Sequence, residues 1–477
     1  MRRACFDAVN AASTAAPARR RSIAPGLASP RVSWTLRCTI MQTPTIGELE
    51  VRRDVVVTIG DDGRIASIEP AAADDPRAPA DAGVDVALPD SVVVLPGLVD
   101  THVHAPQWPQ LGTGLDLPLE TWLQERTFPL ERRLTEPGFA AEVWPSLVGT
   151  LLAHGTTTAT YYATIDVETT TMLAETCADL GQRAFVGRVG MDHPEGTPPW
   201  YRDVDAAAGV AASARSIEEI RAIGSTLVEP IVTPRFVPAC TDELLRGLGE
   251  LAASTGALVQ THCSESDWQH ATSLERYGAS DATALDRLGL VRDHAVLAHG
   301  GHLGDDDLDL LRRRGAGIAH CPLSNAYFGD AVTPVRRALD AGVRVGLGSD
   351  VAGGPRPGLL GQCADAVTMS RVLESGVDAR VVTGERGVDG SRLTILDAFW
   401  LATAGGAELL GLDVGLLAPG RPFDAIAVDV ARPGSALRRW DGVDDDARTF
   451  EKLVRLATPA DLTHVWTAGA LRTPPGS

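Results

Sequence analysis

The chain has 477 residues, 44% of them hydrophobic, which is enough for one large barrel domain with additions or for two or three smaller domains. Its formal net charge of −19 argues against a surface that follows nucleic-acid phosphates, and no uninterrupted apolar run is long enough to cross a membrane. The negative charge favours a cytoplasmic protein with a small-molecule substrate over one that binds DNA or RNA. The seven cysteines contain no CxxC spacing, so we expect free thiols in a reducing compartment.

The N-terminal residues differ in composition from the rest of the chain. They are rich in Arg, Ala and Ser, and Asp7 is the only acidic residue before Glu48. An organellar transit peptide has this composition. We favour a simpler interpretation, in which residues 1–35 are a disordered or non-native extension. In the non-native case, this segment is translated upstream sequence and the true start is Met41.

Two β-rich segments, residues 36–95 and 416–477, flank the middle of the chain. The first contains DVVVTIGDDGRIASIEP, in which two alternating strands surround an Asp-Asp-Gly turn. The second contains the apolar runs FDAIAVDVA and LTHVWTAGALR. The sequence therefore predicts a small β-sandwich domain formed by the N- and C-terminal segments.

Residues 96–415 alternate short apolar strands with amphipathic stretches such as TDELLRGLGELAAST and DDDLDLLRRRG. The strand-like runs are, in order, GLVDTHVH, TTTATYYAT, RAFVGRVG, VEPIVTPRF, LVQTHCSE, AVLAHG, GAGIAHCP and RVGLGSDV. Eight strands alternating with helices predict an α/β protein whose main domain is a (β/α)8 TIM-like barrel. In such barrels the active site lies at the C-terminal ends of the strands.

Potential metal ligands and proton carriers follow four of these strands. They are His102 and His104 on the first strand, His262 and Glu265 on the fifth, His299 on the sixth and Asp350 on the eighth. A single strand-end histidine is more often a structural residue, and a lone aspartate at such a place often caps a helix. Their coincidence at one face of a barrel favours a metal site. Imidazole and carboxylate ligands suit Zn²⁺, with iron as the alternative.

This arrangement resembles the amidohydrolase superfamily, whose barrels bind metal through these strands. Members with two metals usually bridge them with a carboxylated lysine on the fourth strand, where this chain reads VEPIVTPRF. The only lysine of the chain, Lys452, lies beyond the barrel. The resemblance therefore implies one metal ion.

A narrower resemblance, from about Leu36 to the C-terminus, is to the guanine deaminases. The segments that carry it are PGLVDTHVHAPQ, DLPLETWLQERTFPLE, GTTTATYYATI, GQRAFVGRVGMD, PIVTPRF, AHGGHL, IAHCPLSN and GLGSDVAGG. The most specific combination is TPRF with HAPQ and SDVAGG. Two loops at the expected pocket rim, LSNAYFGDAV and GGPRPGLL, differ from the usual pattern.

This resemblance implies an aminohydrolase that converts guanine to xanthine and ammonia with one zinc ion per subunit. The implied metal ligands are His102, His104, His262 and Asp350. The implied catalytic residues are Glu265 as proton shuttle, Asp350 as acceptor of the water proton and His299 as hydrogen-bond partner of the nucleophile. The implied substrate contacts are His104, Gln107, Arg235, Phe236, His262, Glu265 and Asp350.

Arg235 and Gln107 also favour a 6-oxopurine on chemical grounds. Guanine presents O6 and N7 as adjacent acceptors for one guanidinium, whereas adenine presents an amino donor beside N7. Gln107 carries both a donor and an acceptor for another edge of the ring. The alternatives are a rim ion pair for Arg235 and a helix-start carboxylate for Glu265.

Two other functions stay open. The first is hydrolysis of another heterocycle, such as 8-oxoguanine, a pterin or a triazine, and the second is a barrel that has lost catalysis and serves as a scaffold. The resemblance also implies a homodimer. We expect no nucleic-acid or membrane partner.

Overall fold

The computed structural model describes residues 33–71, 84–329 and 331–472. Apart from residues 33–35, the predicted N-terminal extension lies outside these ranges. The strands are β1 (Trp34–Gln42), β2 (Glu50–Ile59), β3 (Ile65–Pro70), β4 (Val86–Ala87), β5 (Val92–Pro96), β6 (Leu98–His104), β7 (Thr156–Tyr162), β8 (Arg183–Gly187), β9 (Val189–Gly190), β10 (Val228–Pro234), β11 (Leu258–Cys263), β12 (Val296–His299), β13 (Gly317–His320), β14 (Arg344–Leu347), β15 (Ala425–Asp429), β16 (Leu462–Thr467) and β17 (Ala470–Arg472).

Helices follow most of the strands. They are α1 (Leu119–Trp122), α2 (Phe128–Arg133), α3 (Pro137–Ala153), α4 (Val167–Leu180), α5 (Ala206–Ala222), α6 (Asp242–Thr255), α7 (Asp267–Tyr277), α8 (Asp281–Arg287), α9 (Asp305–Arg314), α10 (Pro322–Phe328), α11 (Val335–Asp340), α12 (Leu359–Ser375), α13 (Ile395–Leu401), α14 (Ala404–Leu410) and α15 (Asp446–Leu456). In the described ranges, no helix combines the length and apolar character needed to cross a bilayer.

The eight predicted barrel strands are all present and lie in sequence order. Strands β6, β7, β8, β10, β11, β12, β13 and β14 pair in parallel with their neighbours, and β9 adds a short pairing to β10. The first and last strands approach each other through main-chain bonds from Asp350 N to His102 O (2.9 Å) and from His104 N to Val351 O (2.9 Å). The first strand and the segment after the eighth are therefore held side by side where both carry site residues.

The barrel strands are buried because both of their faces are covered. Every residue of β6 and β7 is buried, as expected for parallel strands with the core on one side and helices on the other. Short polar side chains start several of the helices at the C-terminal face. Thr241 caps α6 and Ser266 caps α7 by accepting main-chain N–H bonds, so each helix begins directly after its strand end.

The two terminal segments form one mixed sheet in the order β17-β16-β15-β5-β1-β2-β3, with β4 also paired to β1. This sheet has its own apolar core, which includes Leu36, Ile40, Val57, Phe423 and Trp466. The chain leaves it at Pro96 and enters the barrel at Leu98. The predicted fold class, a TIM-like barrel with a small β domain built from both ends of the chain, is confirmed.

Candidate active site

The C-terminal ends of β6 and β11 and the segment after β14 bring three imidazoles and one carboxylate together. His104 Nε2 lies 2.8 Å from His262 Nε2. Asp350 Oδ1 lies 3.3 Å from His102 Nε2 and 3.7 Å from His104 Nε2. All four side chains are buried. The strand ends therefore converge on one small polar centre at the face of the barrel where the sequence placed it.

The donor atoms at this centre suit a cation. His102, His104 and Asp350 offer atoms within 4.8 Å of one another, and so do His102, His262 and His299, and also His299, Cys321 and Asp350. Among the described residues, neither ring nitrogen of His102 has a hydrogen-bond partner, although the ring is fully buried. Because a buried polar atom without a partner costs free energy, a bound metal ion is the group that the residues fit.

The protonation states at the centre are those that bind a metal ion. Burial lowers the pKa of His104 and His262 well below the usual value, and neighbouring imidazoles lower it further. Burial alone would raise the pKa of Asp350, but His102 and the other nearby imidazoles hold it well below its usual value. The site therefore presents neutral rings and an ionised carboxylate.

Hydrogen bonds to the outer nitrogens orient two of the rings. His262 Nδ1 lies 2.6 Å from the main-chain oxygen of Arg235, so it donates there and leaves Nε2 free to act as a ligand. His299 Nδ1 donates to Asn325 Oδ1 (2.8 Å), and Asn325 in turn donates to Thr333 Oγ1 (2.5 Å). Such outer contacts fix the tautomer and the direction of a metal-site histidine.

Two residues of the site have left-handed backbone conformations. Asp350 has φ of 48° and His299 has φ of 79°. Residues with a Cβ rarely adopt such values, and they are held there only where the surrounding structure fixes them. The main-chain bond from Asp350 N to His102 O provides one such constraint.

Glu265 lies where a proton carrier is needed. Its Oε1 is 3.6 Å from His299 Nε2, and its side chain is 8% exposed. Burial raises the pKa of this carboxyl, with the His299 imidazole opposing the shift, which brings proton binding closer to neutral pH. The cap of α7 is the neighbouring Ser266 rather than Glu265.

A cavity of about 360 Å³ opens directly onto this centre. Its lining is His104, Gln107, Leu119, Trp122, Leu123, Arg235, Phe236, His262, Glu265, Phe328, Asp350 and Gly353. All seven side chains predicted to contact a substrate are among these residues. The apolar walls come from the segment after the first strand and from α10, where the Trp122 and Phe328 rings lie 4.8 Å apart.

One side of the cavity is a buried polar cluster. The two terminal nitrogens of Arg235 donate to the two oxygens of Glu131 at 2.7 and 3.0 Å. Gln107 Nε2 donates to Glu131 Oε1 at 3.0 Å, and Gln107 Oε1 accepts from the main-chain N–H of Ala352 at 3.2 Å. Arg235 therefore forms an ion pair, the alternative to a purine contact, but this pair is buried and Arg235 also lines the cavity.

Two contacts at the site were not predicted from the sequence. Asn325, which orients His299, and Glu131, which binds Arg235, lie on short helices away from the strand ends. Glu131 is the last residue of DLPLETWLQERTFPLE, one of the segments that carry the family resemblance. The resemblance therefore included Glu131 but assigned no role to it. His320, at the end of β13, is buried, and burial lowers its pKa to about 3, so its ring is neutral.

Comparisons with known proteins agree with this geometry. The model of the Amidohydrolase family matches residues 93–471. A protein described as a probable guanine deaminase from Schizosaccharomyces pombe is 35% identical over 446 residues, covering 91% of this chain and 82% of its own length. The guanine deaminase of Homo sapiens is 32% identical over 453 residues, covering 92% of this chain and 96% of its own.

A solved structure gives the same result for the fold. The guanine deaminase from C. acetobutylicum, solved with guanine bound in its active site, superposes with a TM-score of 0.82 at 27% identity, covering 92% of this chain and 100% of that one. Shared sequence over most of the chain, a shared fold and a matching strand-end centre lead to one conclusion. The chain belongs to the amidohydrolase family and, within it, to the guanine deaminases.

Proposed function

We propose that this chain catalyses the zinc-dependent hydrolysis of guanine to xanthine and ammonia. One observation carries the proposal: a single cavity joins the histidine and carboxylate centre to the buried Arg235 and Gln107. The cavity combines apolar walls with a few polar side chains, as small-molecule sites do. The related enzyme with guanine in its active site supports the same substrate.

The proposed zinc ligands are His102, His104, His262 and Asp350, with one ion per subunit. Three nitrogen donors and one oxygen donor match the preference of Zn²⁺, and the unpartnered nitrogens of His102 support the assignment. Iron is the alternative ion for the same donors. A lysine-bridged pair of metal ions has no support, because the only lysine, Lys452, lies on α15 beyond the barrel and pairs with Asp444.

When bound, the zinc ion supplies Lewis-acid chemistry that lowers the pKa of water to about 7. Asp350 accepts a proton from the attacking water as its oxygen bonds to C2 of the purine. Glu265 delivers a proton to the ring nitrogen next to C2. The proton held by Asp350 passes to the amine, which leaves as ammonia when the C2–N bond breaks, and Glu265 regains a proton from the C2 hydroxyl as it becomes the carbonyl. His299 hydrogen-bonds the attacking oxygen through Nε2, which makes no hydrogen bond to any of the described residues.

Substrate recognition uses the opposite side of the cavity. Arg235 binds O6 and N7 of the purine, and Gln107 binds a second edge. Phe236 supplies an apolar wall, its ring 6.0 Å from that of His262. Adenine would place an amino donor against the Arg235 donors, so we expect it to be rejected.

The test is ammonia release by purified protein from guanine, compared with adenine, cytosine and 8-oxoguanine. We expect guanine to be converted to xanthine, the activity to disappear on chelation and zinc to restore it. Turnover of another ring without guanine would overturn the assignment of Arg235 and Gln107 but keep the hydrolytic centre. Zinc-loaded, folded protein that is inactive on every ring would favour the scaffold function.

We also propose a cytoplasmic homodimer. The cysteines in the described ranges are free and buried, which suits a reducing compartment. The dimer rests on the family resemblance. Size-exclusion chromatography with light scattering measures it directly.

A further inference from the structure

Glu131 is a fully buried carboxylate beside the cavity for which the proposed reaction has no step. It lies on α2, between the first and second barrel strands. Its two oxygens accept three hydrogen bonds, two from the terminal nitrogens of Arg235 and one from Gln107 Nε2. One side chain therefore holds both of the residues assigned to purine recognition.

The two parallel hydrogen bonds from Arg235 to Glu131, called the fork below, restrict what the guanidinium can still bind. A guanidinium has five N–H donors, and this fork uses one from each terminal nitrogen, so three remain for other partners. The Phe128 ring lies 4.9 Å from Arg235 Cζ and covers one face of the guanidinium plane. With one edge and one face occupied, the remaining donors point in fixed directions beside the cavity that Arg235 lines.

Gln107 is fixed by the same carboxylate. Its Nε2 donates to Glu131 Oε1, and its Oε1 accepts from the main-chain N–H of Ala352. Reversing the amide would place an oxygen against the carboxylate and an amino group against an N–H, so only one orientation is satisfied. The donor and acceptor that Gln107 keeps for a ligand therefore have a set order.

We propose that Glu131 is a positioning and specificity-determining residue for the purine. Its carboxylate aligns the donors of Arg235 and the amide of Gln107 so that the pocket matches a 6-oxopurine before the ligand enters. The inference rests on the proposed function, because it concerns the same pocket. Preorganised donors are not reoriented on binding, so the benefit appears in affinity.

The experiment uses two variants of the zinc-loaded protein. Glu131→Gln keeps the shape and removes the charge, while Glu131→Asp keeps the charge on a side chain one methylene shorter. We expect both to raise KM for guanine about tenfold or more, within the range for hydrogen bonds to charged groups, and to change kcat by less than about threefold. Calorimetry should show the same loss of affinity for hypoxanthine, a 6-oxopurine without the 2-amino group.

Asp424→Asn is the matched control. Asp424 is 1% exposed, and its two carboxylate oxygens accept hydrogen bonds from the Arg183 guanidinium. Arg183 is the first residue of β8, so this ion pair lies at the opposite end of the barrel strands from the cavity. We expect this variant to lose thermal stability as the Glu131 variants do. Its KM for guanine and its hypoxanthine affinity should stay at the wild-type values.

The outcomes separate the two proposals. Folded Glu131 variants with wild-type KM and wild-type hypoxanthine affinity would overturn the positioning role of Glu131. A failure of both variants to fold would also overturn it, because Glu131 would then be a structural residue. Wild-type protein that binds hypoxanthine but does not turn over guanine would refute the proposed reaction alone. In that case the calorimetric comparison still decides the role of Glu131.

Discussion

Single hydrogen bonds to outer ring nitrogens determine what the site histidines present to the centre. His262 donates from Nδ1 to a main-chain oxygen, and His299 donates from Nδ1 to Asn325. Each ring is left with a lone pair on Nε2 that faces the other site residues. The neighbour of Nε2 then distinguishes the two proposed roles. His262 Nε2 lies beside His104, another proposed metal ligand, whereas His299 Nε2 lies beside Glu265, the proposed proton carrier.

The residue scale gives the prediction for the proton carrier. Glu265→Gln removes the exchangeable proton but keeps the size of the side chain, so guanine turnover should fall by about 10²–10⁴-fold. The zinc content should stay unchanged, because Glu265 is not among the proposed ligands. Stopped assays of ammonia release, together with metal analysis, measure both effects.

Asp267→Asn is the control for this variant, since Asp267 begins α7 two residues later with a 93% exposed side chain. We expect it to keep wild-type turnover. If Glu265→Gln were as active as this control, the shuttle would have to be another group.

At the scale of elements, the segment from the end of β11 to the start of α8 forms one buried network. Asp281 Oδ2 accepts from Ser264 N at 3.0 Å and from Gln269 Nε2 at 2.5 Å, while Gln269 Oε1 accepts from Glu265 N at 3.3 Å. Asp281 Oδ1 accepts no hydrogen bond from the part of the chain that the structure describes. The first turn of α8 thus holds the strand end that carries His262 and Glu265.

Asp281 gives a prediction for stability against pH. Burial raises the pKa of this carboxyl to about 6, above its value in an unfolded chain, so ionisation opposes folding. The stabilising contribution is complete at pH values below the unfolded pKa and is lost as pH rises through about 6. The pKa in the folded state is higher than that in the unfolded chain by roughly two, which corresponds to about 3 kcal/mol of stability.

Asp281→Asn removes this titration. We expect the Tm of wild type minus that of the variant to fall between about pH 4 and pH 6 and then to level off above about pH 7. Differential scanning calorimetry of the metal-free proteins measures it without interference from zinc dissociation. A Tm difference that is constant with pH would show that Asp281 does not titrate in this range.

At the scale of the whole molecule, the proposed zinc ligands connect parts of the barrel that are distant in sequence. They come from the first strand, the fifth strand and the segment after the eighth, and the first and last strands meet at His102 and Asp350. A metal ion bound there would stabilise only the folded state. Its effect on stability then follows from mass action.

Metal removal tests this linkage. Chelation should lower the Tm of the wild-type protein, with a loss of about 4 kcal/mol where zinc had been present at a thousandfold its Kd. Added zinc should restore the Tm. His102→Ala, which removes one proposed ligand, should respond much less to either treatment. Equal Tm values for wild type with and without zinc would contradict a structural link between these strands.

The sequence by itself determined the order of elements and the composition of the centre. Apolar runs of strand length alternating with amphipathic stretches identify eight strands, and all eight are present as predicted. Parallel barrels place every strand end at one face, so histidines and carboxylates at strand ends must lie close together. Local periodicity and one topological rule were sufficient for these predictions.

Only the tertiary structure decided which outer residues hold the centre in place. Glu131 and Asn325 lie on short helices whose sequence pattern does not predict which side chains face the site. Glu131 contacts Arg235, 104 residues later in the chain, and Asn325 contacts His299, 26 residues earlier. The unpartnered nitrogens of His102 and the orientation of Gln107 also depend on what surrounds them. Contacts between distant segments depend on packing geometry, which the periodicity of a sequence does not specify.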